Sequence, residues 1–301
     1  MNVTPKRQWP QNRRFEFIEW KLYWEGSLNR SDLEDAFEIS TPQASVDLRN
    51  YRAKAEGNLD YDPTGKGFRP TPGITPRFLR VSADRLLLQL RAYMTGALAR
   101  TDLWFKSMPP SDMAPDVVRH VEPDCLRRVL QAMRRKEALD VNYQSMTSSR
   151  WRRIAPHALA FDGHRWHVRA WACDREDFRD FVLTRIEEIG GSSRAEFNPE
   201  DDIEWETRTT LFLEAHPGLT EEQSRAVQSD FGMVDGRRSI EVRLSLAYYF
   251  IRRLNLDLPD LPAARAQIRL ANLDQVAAQA KAAREATLAA IAARREARAA
   301  D

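Results

Sequence analysis

Apolar positions repeat with a helical period at both ends of the chain and with a strand period in its middle. Phe15, Ile18 and Leu22 predict a first helix over residues 13–24, closed by Gly26. A second helix is expected from Ser31, which with Glu34 makes a capping box ahead of Leu33, Ala36 and Phe37. After the turn Glu38-Ile39-Ser40, Thr41 as N-cap and Pro42 at the first helical position start a third helix reaching about residue 55. Ala44, Val46, Leu48 and Tyr51 are its expected buried side. Leu59-Asp60-Tyr61 and Gly67-Phe68-Arg69 flank a Gly/Pro turn and read as a two-stranded wing. A more apolar helix over 84–98 follows, then a Pro-rich break over 108–115.

The middle of the chain changes period. A helix from Pro123 carries Leu126, Leu130 and Met133 on one side and Arg127, Arg128, Arg134 and Arg135 around the rest. Short strands are then predicted at 139–145, 152–155, 157–161, 165–171 and 178–186, with turns such as Asp162-Gly163, a spacing that suggests a small barrel. The last third opens on Glu200-Asp201-Asp202-Ile203-Glu204, read as a solvated loop, and contains one expected strand at 239–245 among helices. The Ala/Arg-rich tail over 273–300 is expected to cover a partner or fray. The chain is therefore an α+β multidomain protein, divided into 1–80 (three helices and a wing), 81–122 (helical linker), 123–190 (barrel) and 191–301 (C-terminal α/β domain).

Composition narrows the class. A length of 301 residues exceeds one small domain, and 43% hydrophobic residues exclude wholesale disorder. No apolar run approaches the roughly 18 residues that span a bilayer. The polar start, without an apolar signal core, predicts a cytoplasmic protein. Cys125 and Cys173 have no Cys or His at metal-ligand spacing, so neither a disulfide framework nor a metal site is expected. The net charge of +2 hides an asymmetry: residues 41–80 hold seven Lys/Arg against four Asp/Glu and 149–185 eight against five, while 191–236 hold three against eleven. Two basic regions favour an anionic partner.

Helix, turn, polar helix and basic wing together form a winged helix-turn-helix, whose second helix fits the major groove of duplex DNA. Ser40, Thr41, Gln43, Ser45, Arg49, Asn50 and Arg52 have the side chains that reach bases and phosphates, with Lys66 and Arg69 on the wing. In the strand Arg165-Trp166-His167-Val168-Arg169-Ala170, three potential cations alternate onto one face, which an anion or nearby carboxylates such as Asp162 and Asp180 must neutralise. Phosphate-loop, GxSxG, HExxH and dinucleotide-binding fingerprints are absent, so a non-enzyme without cofactor is expected. A metal-dependent nuclease using the 200–206 carboxylates is the weakest reading. A single-stranded nucleic-acid module, stacking bases on Tyr143, Trp166 and Trp171, is the alternative.

Tyr143-Gln144-Ser145, Trp151-Arg152-Arg153-Ile154-Ala155-Pro156-His157, Asp162-Gly163-His164-Arg165-Trp166-His167-Val168-Arg169 and Phe178-Arg179-Asp180-Phe181-Val182-Leu183-Thr184-Arg185 resemble, in order, a WYL domain, with Trp166-His167-Val168 at the tripeptide that names it. Leu219-Thr220-Glu221-Glu222-Gln223, Asp230-Phe231-Gly232-Met233 and Ala247-Tyr248-Tyr249-Phe250 are similar to the C-terminal domain of WYL repressors associated with BREX and CBASS phage-defence operons. The resemblance implies an Sm/SH3-like barrel that senses a nucleic-acid or nucleotide signal, a C-terminal dimerisation domain, and a homodimer that represses by binding an inverted repeat. By position it implies a ligand pocket of Tyr143, Ser145, Arg152, His157, Arg169 and Arg185, with Arg165 and Arg179 as further candidates.

Overall fold

Helix α1 (Pro5–Trp20) buries Phe15, Phe17 and Ile18, and continues through a π-helical turn (Lys21–Glu25) that Gly26 ends at φ 69°. The structure is a computed structural model that describes residues 5–115, 117 and 119–300, with side chains described for all of these except 5–10, 298 and 300. It divides into two units, Met1–Val117 and Val118–Asp301.

In the first unit, α2 (Arg30–Phe37) and α3 (Thr41–Lys54) precede the antiparallel wing of β1 (Leu59–Asp62) and β2 (Gly67–Pro70). Leu28 bridges Phe68 through two backbone hydrogen bonds, adding a third rung to the wing. Both helix starts differ by a residue or two from expectation. The N-cap of α2 is Asn29, whose backbone N–H donates to the Asp32 carboxylate at 2.7 Å, so Ser31 and Glu34 lie inside the helix. The N-cap of α3 is Ser40, whose hydroxyl accepts the Gln43 N–H, and Thr41 becomes the first helical residue.

The buried stripe of α3 is Ala44, Asp47, Leu48 and Tyr51. Val46 is not part of it: 44, 46 and 48 alternate with the period of a strand, and a helix returns to the same face after three or four residues. Fully buried Glu19 ties the chain beyond the wing to α1, accepting the N–H groups of Arg77, Phe78 and Leu79 at 2.6–2.7 Å and the Tyr51 hydroxyl at 3.2 Å. Helix α4 (Ala83–Met94) packs Leu90 with Trp20, Leu79, Leu103 and Phe105, so the segment expected as a helical linker holds a helix at 83–94 that packs on α1.

In the second unit, α5 (Pro123–Arg135) lies on a five-stranded antiparallel sheet of β3 (Glu137–Gln144), β4 (Ser149–Phe161), β5 (Trp166–Ala172), β6 (Asp177–Val182) and β7 (Ile186–Arg194), in the order β6-β5-β4-β3-β7. Buried Val129 and Ala132 of α5 meet Val141, Ile154, Val168 and Phe181. Among the described residues no ladder joins the edge strands β6 and β7 into a closed barrel. Two expected strands, 152–155 and 157–161, are one: β4 runs through Pro156, which lacks an N–H for the ladder, by a bulge between Pro156 and Ala158. The expected strand 178–186 instead breaks at a 3-10 turn (Leu183–Arg185) before β7, which the sequence reading missed.

The remainder builds α6 (Ile203–Glu206), β8 (Arg208–Ala215), α7 (Glu221–Asp230), β9 (Arg237–Arg243), α8 (Leu244–Arg253), α9 (Ala263–Ala266), β10 (Ile268–Leu270) and α10 (Leu273–Ala300). The second sheet has the order β10-β8-β9, with Leu211 and Leu213 facing Leu244, Ala247 and Val276. The strand expected at 239–245 ends at Arg243, where α8 begins. The tail packs on its own chain as α10, burying Val276, Ala283 and Thr287. Among the described residues no helix is long and apolar enough to cross a membrane.

Candidate DNA interface and effector pocket

The outer face of α3 and the wing carry the residues chosen for DNA. Thr41, Arg49, Arg52 and Lys66 are exposed and Asn50 is half-buried. Arg49, Arg52 and Lys66 take part in no ion pair within the described residues, which leaves their charge for a ligand. The others are partly engaged. Ser40 caps the helix; Ser45 donates to the Thr41 carbonyl at 2.9 Å; Gln43 Nε2 donates to Asp47 at 3.2 Å; Arg69, 65% exposed at its side chain, holds Asp62 at 2.6 Å. Arg14 of α1 and fully buried Asp47 of α3, paired at 2.6 and 3.1 Å, fix the rotation of α3 about its own axis. Sequence reading missed this pair, which spans 33 positions and leaves no periodic signal.

The eight pocket candidates separate. At the end of the first sheet, Arg152 lies over the Tyr143 ring at 5.7 Å, and Arg185 reaches Met146 in the turn that the Ser145 hydroxyl organises through Ser148. Tyr143 is 6% exposed, its ring edge-on to Phe181 and its hydroxyl accepting the Val182 N–H at 3.1 Å, so it presents no stacking face. Arg152 Nε is buried without a hydrogen-bond partner, and its closest carboxylate, Asp174, is 4.0 Å away and shared with Arg150. Burial, then the neighbouring charge of Arg150, pulls the Arg152 guanidinium below its ordinary pKa. Arg150 was not predicted, although it lies two residues from Arg152 on the same face of β4.

His157 and Arg169 belong elsewhere. Arg169, 5% exposed, makes a two-pronged pair with fully buried Asp202 at 2.8 and 2.8 Å, with Asp180 and Glu204 each at 3.5 Å. His157, the extra residue of the β4 bulge, places Nε2 3.0 Å from the same Asp202. Burial alone would lower the Arg169 pKa, but these carboxylates raise it above its ordinary value; likewise burial favours a neutral Asp202, and Arg169 and His157 reverse that and lower it. His167 sits 2.8 Å from Asp162, and Tyr249 of α8 donates to Asp180 at 2.9 Å. Arg165 leans on Asp162 at 3.3 Å, and Arg179, half exposed, on Asp177 at 3.2 Å. Carboxylates of the same chain thus neutralise the cationic face of β5. The acidic stretch read as a solvated loop supplies the main one, since Asp202 caps α6 by accepting the Trp205 N–H at 3.2 Å. Among the described residues no group of His, Cys, Asp or Glu could hold a metal ion.

Three family models match in the order of the fold: the BrxR transcriptional regulator winged helix-turn-helix domain over residues 10–92, the WYL domain over 124–190 and the BrxR C-terminal dimerization domain over 208–276. Together they define the architecture of a WYL-type transcriptional regulator. A DNA-binding transcriptional repressor CapW from Stenotrophomonas maltophilia is 38% identical over 267 residues, spanning 86% of this chain and 89% of that protein. CapW repressors from Escherichia coli (36% over 251 residues; 83% and 84%) and Pseudomonas aeruginosa (36% over 273 residues; 89% and 91%) are comparably similar. This chain belongs to the CapW family.

Proposed function

We propose that the protein is a homodimeric transcriptional repressor whose two winged domains bind an inverted repeat, and which leaves its promoter when an anionic nucleic acid or nucleotide binds the WYL domain. The DNA half is carried by Arg49, Arg52 and Lys66, exposed on α3 and the wing and in no ion pair among the described residues. Cations left unpaired by their own protein are suited to phosphates and guanine edges. The effector half draws on Arg152, with its buried, partnerless Nε and Arg150 beside it. An anion there relieves both the missing hydrogen bond and the like-charge repulsion. The relatives named as DNA-binding repressors favour a regulator over a catalyst, and the resemblance to phage-defence repressors favours an operon of that kind.

The signal alters DNA affinity only by its difference in affinity for the DNA-competent and incompetent forms. In a mobility-shift titration with the duplex upstream of its own gene, Arg49→Ala with Arg52→Ala loses retention while far-UV dichroism and dimer mass stay unchanged. Retention equal to wild type overturns the assignment of α3. In a promoter reporter, Arg152→Ala represses normally and fails to induce; normal induction places the effector elsewhere.

A further inference from the structure

Val46 is half-buried but belongs neither to the buried stripe of α3 nor to the core cluster of the first unit. The buried residues Ala44, Asp47, Leu48 and Tyr51 mark the side of α3 that faces the core. At 3.6 residues per turn, Val46 points roughly 150° away from their mean direction. It is half-buried, lies outside the core cluster that takes in Ala44 and Leu48, and shares its face with Pro42, Arg49 and Asn50. A β-branched apolar side chain on the outer face of a helix lowers helix propensity slightly and exposes apolar surface. The Arg14–Asp47 pair holds the helix in this rotation, so the placement is built in.

Base edges in the major groove carry hydrogen-bonding groups and one apolar group, the 5-methyl of thymine. We infer that Val46 reads a thymine methyl, between base or phosphate contacts made by Arg49 and Asn50, so that one A·T pair in each half-site is chosen by apolar contact. This inference rests on α3 being the DNA-reading helix, and the test separates the two.

The full-length protein selects a duplex from a random-sequence pool, and each thymine of that duplex is then replaced singly by deoxyuridine, which deletes the methyl and keeps the pairing. For the wild type, one position per half-site weakens binding about fourfold, the worth of one buried methyl. At that position Val46→Ala shows no further loss, while Val46→Thr, which keeps one methyl, retains part of the sensitivity. A scan that is flat for the wild type, or an equal loss in Val46→Ala, overturns the inference. Arg49→Ala is titrated in parallel. If it weakens binding while the uracil scan is flat, only the Val46 contact falls; if it binds like wild type, the reading of α3 and this inference fall together.

Discussion

Asp202 illustrates how one carboxylate decides the meaning of several neighbours. Taken alone, Arg169 and His157 look like ligand-binding residues; beside a carboxylate with no solvent exposure, Arg169 is its ion-pair partner and His157 lies within hydrogen-bond distance of it. Removing one partner of a buried pair strands the other, so Asp202→Ala is expected to destabilise the second unit by about 3–5 kcal/mol in denaturant titration. Arg169→Ala should do comparable damage, whereas Arg152→Ala, at a site that lacks a close counterion, should leave the unfolding midpoint near wild type. Acid sensitivity follows from the same chemistry. Burial pushes the Asp162 carboxyl up, but His167 and the N–H groups of His164 and Arg165 outweigh it and hold the pKa at about 2. Its stabilising effect is therefore complete above the ordinary value of 3.8 and disappears as pH falls through about 2. Thermal melts of wild type should lose midpoint across that window, and Asp162→Asn should flatten the slope. Asp162 was legible as a partner because it lies five residues from His167; Asp202, 33 positions from Arg169, was not.

Among the elements, the stop of α1 at Gly26 was readable, whereas its start, expected at residue 13, lies at Pro5, and residues 21–25 form a π-helical turn. Strands were harder. The sequence reading split β4 at Pro156, where the chain bulges and continues, and passed over β8, although its Thr209, Leu211 and Leu213 alternate inward. Helix α10 was the least legible, because its Ala/Arg composition carries few large apolar residues and part of its attachment is ionic. Arg284 pairs with Asp177 at 2.7 and 2.8 Å across 107 positions, and Arg294 with Asp201 at 2.5 and 3.0 Å. Arg284 is partly solvated, and Asp177, though buried, keeps Arg179 at 3.2 Å, so Arg284→Ala should cost only about 1 kcal/mol of global stability. Hydrogen exchange should nevertheless speed up along the C-terminal half of α10, while protection in β3 and β4 is retained. Unchanged exchange would show that Val276, Ala283 and Thr287 alone hold the helix.

For the whole molecule, ending the chain at residue 195 is an ambiguous test of dimerisation, since the cut also removes Asp202 and Glu204 from Arg169. Point changes within the region matched to the dimerisation model are cleaner. Val234, 73% exposed, and Tyr248, 59% exposed, lie in that region and donate no hydrogen bond to the Asp202 cluster. Val234→Asp with Tyr248→Asp should lower the dimer fraction in light scattering without shifting the monomer's melting transition, and duplex affinity should fall with it as the second half-site contact is lost. A dimer of wild-type strength would place the interface elsewhere.

What depends on near neighbours could be read along the chain: helical periods, the Gly26 stop, the wing turn, and the order of three modules carried by short linked motifs. The sequence also marked Arg49, Arg52 and Lys66, because exposed polar positions on an amphipathic helix or a turn follow from local period alone. Tertiary structure decided which charges are spent and which are free. Hydrophobic period says which face is buried but not which charged group another element brings to that face. Only folding placed Asp47 on Arg14, Asp202 on Arg169 and Asp177 on Arg284, while Arg152 was left without a close partner. Burial makes such pairings obligatory, since an unpaired charge away from water costs more than any single contact returns.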